Sequence, residues 1–356
     1  MTWTIDYPRR IAERRPEGHA PRAPRWTLGF DQPTSLVTSD YLALQVEDMS
    51  DPAVGKFVEL AGKSRGRGTD HGPQAHEMLT YRDSLGMTNL IALGYWLDAT
   101  EHARWLQSAA LPRWFDALDP ATVTCGAWHE VVQVPLDRME TVYSDPDRPF
   151  GMAACEGTRR VPTTTNGYYG AARDRFPVSA IDRLEAPGSH RQRNAPPNTL
   201  GRRLRAEVGL NAIVIRSGQY WQESDSEQRE DYEQELQPKL MAGMGYLKEH
   251  AGLEDVLSLR VMTSLDEETL APRRETSVLG HFARLGTLEN WAESHATHAA
   301  IFEHAIRKKQ EYGDARSVVT WHEVFALQSS TTYEYVNCHG QTGLLSCSPV
   351  LLSVER

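Results

Sequence analysis

Long apolar runs are missing from this sequence. No stretch approaches the roughly 18 apolar residues of a bilayer-crossing helix, and the opening MTWTIDYPRR lacks the apolar centre of a secretory leader. Cysteine is scarce. Cys125, Cys155, Cys338 and Cys347 show neither C-x-x-C nor C-x-x-C-H spacing, which removes support for zinc ribbons, thioredoxin-like redox sites and covalent haem attachment. They read as buried thiols. Positive charge is also short: 38 Lys and Arg stand against 48 Asp and Glu, and the net charge of −10 is spread along the chain rather than gathered in a tail. That argues against a groove for nucleic acid. A cytoplasmic protein with neither membrane nor nucleic acid as partner is expected.

At 356 residues, 40% hydrophobic and 24% charged, the chain can build one large or two medium domains. One tetrapeptide, Trp-His-Glu-Val, occurs at 128–131 and again at 321–324. The flanks repeat in kind. Before the first copy the pattern predicts a strand at 88–97 and a helix from about 100 to 118 containing Trp105. Before the second, SVLGHFARL predicts a strand. A helix starting at Thr287 then places Trp291, His295, His298, Phe302 and Ala305 on one face.

Further out, NAIVIRSGQYW alternates as a strand, a Ser224-x-x-Glu227 capping box opens another helix, and LSLRVM supplies a strand. The first half answers with strands near 40–47 and 76–82 and a helix near 51–63. Each half therefore reads β-α-β-β-α-β, the ferredoxin-like order. The expected class is α+β, two such repeats in one chain with their sheets facing each other as a barrel. The expected division is an N-terminal extension at 1–35, a first repeat at 36–144, a linking insertion at 145–205 and a second repeat at 206–356.

Along the strand SVVTWHEVFAL, His322 shares a side with Val318, Thr320, Val324 and Ala326, while Trp321, Glu323 and Phe325 point the other way. A histidine among small apolar neighbours is a satisfied core residue or an acid/base in a dry cavity. Its counterpart His129 has less around it. His295 and His298, three apart on an apolar helix face, could share zinc or offer one axial haem ligand; two hydrogen-bonded packing histidines are the plainer reading. Ser217 sits beside Ile213 and Ile215 with no Gly-x-Ser-x-Gly elbow around it, so a hydrogen-bond donor fits better than a nucleophile. Arg173 and Arg175 are candidates for a permanent donor or for surface charge. Glu140, read alone, belongs to a solvated face.

Five stretches together, GYYGAARDRFP (167–177), RSGQYW (216–221), SHATHAAIF (294–302), WHEV (321–324) and YEYVNCHGQTGLL (333–345), resemble the aldoxime dehydratases in content and order. These are haem enzymes that convert R–CH=N–OH to a nitrile and water on a dimeric α+β barrel fold. The resemblance implies haem b, active as ferrous iron, an aldoxime as substrate, and a homodimer. It implies that His298 is the axial ligand, with His295 competing, and that His322 is the distal acid/base. It implies donor roles for Ser217 and for Arg175, with Arg173 competing, and an acidic role for Glu140. The 185–200 stretch falls outside the likeness. Other expectations compatible with these residues are a haem peroxidase or chlorite-dismutase-like enzyme, or a haem carrier or sensor without chemistry.

Overall fold

The computed structural model describes residues 3–65, 69–187, 198–328 and 331–347, and the backbone of Leu351–Val354. Fourteen strands run through these residues: β1 (Arg25–Phe30), β2 (Leu36–Val46), β3 (Ala75–Arg82), β4 (Thr88–Trp96), β5 (Gly126–Pro135), β6 (Met139–Tyr143), β7 (Thr158–Thr163), β8 (Arg203–Val208), β9 (Ile213–Tyr220), β10 (Val256–Leu265), β11 (Pro272–Phe282), β12 (Val319–Ala326), β13 (Thr331–Val336) and β14 (Leu351–Val354). They pair antiparallel in the order β14-β8-β13-β5-β2-β4-β3-β10-β11-β9-β12-β6-β1-β7. The helices are α1 (Pro52–Arg65), α2 (Ala99–Ser108), α3 (Ala110–Asp116), α4 (Ala171–Arg175), α5 (Ser226–Asp231), α6 (Gln237–Glu249), α7 (Leu285–Ser294) and α8 (Ala296–Tyr312). The protein is thus α+β, a large antiparallel sheet with helices on it.

The middle of the strand order is symmetric. β5-β2-β4-β3 and β12-β9-β11-β10 each place four consecutive strands in the order fourth, first, third, second, and β3 abuts β10. On the helix side, Phe57, Leu60, Leu111 and Phe115 pack on Leu42, Leu44 and Leu90 in the first half. Leu240, Met244 and Trp291 pack on Ile213, Val278 and Val324 in the second. The opposite strand faces of both halves share one core, with Tyr41, Ile91 and Trp128 from one and Val214, Leu279 and Trp321 from the other.

Strand alternation explains what the repeated tetrapeptide does. Its Trp and Glu enter the shared core and its His points toward helices. Glu130 is held there by both Arg260 nitrogens at 2.6 Å and by the Tyr335 hydroxyl at 2.6 Å. Glu323 accepts from Tyr95 (2.6 Å) and the Met152 amide (3.0 Å), and Arg216 donates to Tyr95 and to both oxygens of Glu77. Charges so deep persist only because each has a partner.

The structure departs from the sequence reading at several elements. The helix expected at 100–118 is two, α2 and α3, because Ala109 takes an extended conformation (ψ 153°) between them. Ser224 does not cap α5; Asp225 does, accepting from the Gln228 amide at 2.9 Å. Helix α7 starts at Leu285, and the Thr287 hydroxyl donates to the Arg284 carbonyl instead of opening the helix. The 145–205 stretch is more than a link, since it contributes β7 to the sheet, helix α4 and the start of β8. Residues 188–197 of the stretch outside the likeness lie beyond the described residues. The four cysteines are buried thiols, and among the described residues no helix is long and apolar enough to cross a membrane.

Candidate active site

Register brings the first pair of residues together. His322 on β12 stands opposite Ser217 on β9 and opposite Val142 on β6, while Val324 stands opposite Glu140 and Ile215. Cross-strand partners share a face, so Ser217, His322 and Glu140 all lie on the helix side of the sheet. Gly218 is needed behind them. A Cβ there would fall 2.2 Å from the Trp321 indole, which packs over the strand on the core side.

Helix α4 delivers the next group. Arg175, its last residue, donates from Nε to Glu140 at 2.6 Å and from Nη1 to the Thr165 carbonyl at 2.8 Å. Its Nη2 lies 3.1 Å from His322 Nε2, and the same Nε2 lies 3.0 Å from Glu140 Oε1. Arg173 is turned away, locked on Glu289 at 2.9 and 2.6 Å and on the Arg183 carbonyl. The two arginines that sequence left as alternatives are thereby separated in space.

Glu140 is buried, contrary to the solvated face expected of it. Burial alone would push its carboxyl upward, but the charges of Arg175 and then His322 outweigh burial and hold it below the usual carboxylate range. It is an anion in place. The imidazole beside it has a partner in either proton state. With Nε2 protonated it is at ion-pair distance from Glu140 Oε1, and with Nε2 bare it accepts from Arg175 Nη2. A ring held equally by an acceptor and a donor can give up and regain a proton without moving.

Helix α8 and the turn before it carry the remaining candidate residues. Helices α7 and α8 are separated by His295, whose extended backbone (ψ 132°) caps α8. Its ring bonds the Thr297 hydroxyl at 2.7 Å and stacks on Tyr246 at 3.6 Å, so this histidine is occupied. His298 is not in that role. It meets Trp291 edge-on at 4.9 Å. Burial, with the charge of His322, holds His298 below the ordinary histidine range, hence neutral.

A neutral imidazole is the donor that a haem iron takes. Thr297, Ile301 and His304 of α8 face helices α5 and α6. His298, Phe302 and Ala305 therefore form a separate, half-buried and mainly apolar face, which suits a porphyrin. The residues present fit the group.

His129 sits in a different setting. It binds Asp40 at 2.8 Å, Asp40 binds His102 at 2.7 Å, and Phe115 covers the ring. The equivalent side in the first half is filled by its own helices.

A family profile of haem-containing dehydratases matches residues 44–344. The chain is 31% identical over 341 residues to an aliphatic aldoxime dehydratase of Pseudomonas chlororaphis, spanning 95% of each chain. It is 29% identical over 336 residues to a phenylacetaldoxime dehydratase of Bacillus sp. (strain OxB-1), spanning 93% of each. A crystal structure of aldoxime dehydratase superposes with a TM-score of 0.86 at 30% identity over 97% of both chains. A second, in complex with butyraldoxime, gives 0.84 at 29% identity over 96% of this chain and 93% of that one. With the profile running through every element that builds the site, this chain belongs to the haem-containing dehydratase family.

Proposed function

We propose that this chain is an aldoxime dehydratase, converting R–CH=N–OH to R–CN and water with a b-type haem used in its ferrous state and held by His298. Its relatives carry that activity in their names. The observation that carries the reading is His322 Nε2 held between Glu140 at 3.0 Å and Arg175 at 3.1 Å.

Hydroxide is a poor leaving group, so N–O cleavage needs a proton on the oxygen. When bound, ferrous haem supplies a site for the oxime nitrogen and electron density toward the N–O bond. Protonated His322, supported by Glu140, donates to the departing oxygen, which leaves as water. The neutral ring that results accepts from Arg175 and is competent to take the proton from carbon, which completes the nitrile. Ser217, level with His322 on the neighbouring strand, donates to the hydroxyl oxygen and restrains its direction. Arg175 adds a fixed positive charge where negative charge develops. No net electrons are consumed, so the reaction is a lyase reaction.

The finer architecture belongs to the same proposal. Each half is read as one ferredoxin-like unit, the two facing each other as the dimeric α+β barrel does, within boundaries near 36–144 and 206–356. Trp105 in α2 and Trp291 in α7 precede matching breaks at Ala109 and His295, which supports a common origin. A homodimer is read from the resemblance.

The test is product analysis. Haem-loaded protein, reduced with dithionite, is given butyraldoxime or phenylacetaldoxime, and the nitrile is measured by chromatography. Peroxide turnover without nitrile would favour a peroxidase instead.

A further inference from the structure

Among the described residues, two arginines that the mechanism does not use have no acid at ion-pair distance. Arg25 opens β1, and its guanidinium donates to the Pro24 carbonyl at 2.8 Å. Arg316 lies between α8 and β12 and donates to the Ala305 carbonyl. Among the described residues, no carboxylate comes within ion-pair distance of either. The acid that draws Arg316 electrostatically is Asp231, already held by His304 at 2.9 Å and Lys308 at 3.1 Å.

Their placement is specific. Trp26 pairs with Tyr143, which pairs with Trp321, and these three aromatics lie on the core side of the sheet. Arg25, one residue earlier, therefore projects to the side that carries His322. By register it is level with Thr320, about 7 Å along the strand from His322. Arg316, in the segment between α8 and β12, bonds α8 at the Ala305 carbonyl, and Ala305 is two turns, about 10 Å, beyond His298. One guanidinium comes from the sheet, the other from the segment that joins α8 to that sheet. Burial, together with the charges of Arg316 and Arg175, pushes Arg25 down to about 10, so the three cations feel one another.

Among the described residues Glu140 is the one direct counter-charge of Arg25, Arg175 and Arg316, and half-buried Arg25 and Arg316 donate only to backbone carbonyls, a setting that an anion completes. We infer that Arg25 and Arg316 bind the two propionates of the haem, fixing the porphyrin's rotation about its bond to His298 and so the position of the bound oxime relative to His322. The inference rests on the haem reading above. It assigns charge-assisted, fork-shaped donors to carboxylates, the pairing arginine makes best.

The test compares haem with haem dimethyl ester, which lacks the propionate charges. Full-length protein is loaded with each, and the rate of loss to excess apomyoglobin is followed at the Soret band. Wild type is expected to lose the ester about tenfold or more faster than haem. In Arg25→Leu/Arg316→Leu that difference should collapse, with haem itself lost faster, whereas Arg113→Leu, which removes an exposed charge, should behave as wild type. If the double variant fails to fold, Arg25→Lys and Arg316→Lys keep the charge but lose the fork, and each should speed haem loss by about fivefold. Equal retention of haem and ester by wild type would overturn the proposal, as would a preserved difference in the double variant. Failure of wild type to develop a Soret band with either would instead overturn the haem reading, and this proposal with it.

Discussion

His322 Nε2 stands 3.0 Å from Oε1 of Glu140, a carboxylate with no exposed side-chain surface. Removing that charge while keeping its shape should leave the ring without its carboxylate neighbour. Glu140→Gln is expected to retain haem and lower kcat by about 10–100-fold. Turnover at the wild-type rate would leave Glu140 with a packing role only.

Two histidines competed for the iron in the sequence, and the helix break separates them. His298→Ala should purify without a Soret band, while His295→Ala, which loses a cap and a stacking contact with Tyr246, should keep it. The reverse pattern would move the ligand to His295.

Ser217→Ala deletes one hydroxyl and little packing. Loss of a preorganised donor costs about 2–4 kcal/mol of transition-state stabilisation, so kcat should fall by about 30- to 1,000-fold with haem content unchanged. Activity within about threefold of wild type would take Ser217 out of the reaction.

His281 gives the fold an acid sensitivity of its own. It is buried, among the described residues its ring nitrogens have no hydrogen-bond partner, and a Glu130 carboxylate oxygen is 4.0 Å away. Burial pushes it down to about 4. Because the folded value lies below the unfolded value of about 6.5, its contribution is fully present above pH 6.5 and is lost as pH falls toward 4. By pH 5 the loss is about 2 kcal/mol. Urea unfolding at pH 7 and pH 5 should show this in wild type and a smaller drop in His281→Leu; identical drops would assign the acid sensitivity elsewhere.

How far the sequence could be read differs residue by residue. The sidedness of Trp321, His322 and Glu323 was legible because a strand has a period of two, which no tertiary context changes. The choice between Arg173 and Arg175 was not, since both are basic residues on one helical turn, and only the approach of Glu289 to one and Glu140 to the other distinguishes them. Glu140 was misread as solvated because its partners lie 35 and 182 residues away. The same holds for Arg25 and Arg316, whose lack of an acid is a property of the packed molecule. His295 needed the extended backbone between two helices, and periodicity had drawn a single helix through it. The buried Glu130–Arg260 pair had no local signal at all, although the repeated Trp-His-Glu hinted that its glutamates mattered.

The most direct measurement is nitrile formation from butyraldoxime by the reduced, haem-loaded protein in three forms: wild type, His322→Ala and His129→Ala. Wild type should form nitrile. His322→Ala should keep its Soret band yet turn over about 10² or more times slower, as the loss of a general acid/base requires. His129→Ala, which breaks the Asp40 pairing on the filled side of the first half, should be less stable but turn over normally per folded molecule. Nitrile formation by His322→Ala at the wild-type rate, or its loss in His129→Ala alone, would contradict the account and move the reacting site to the first half.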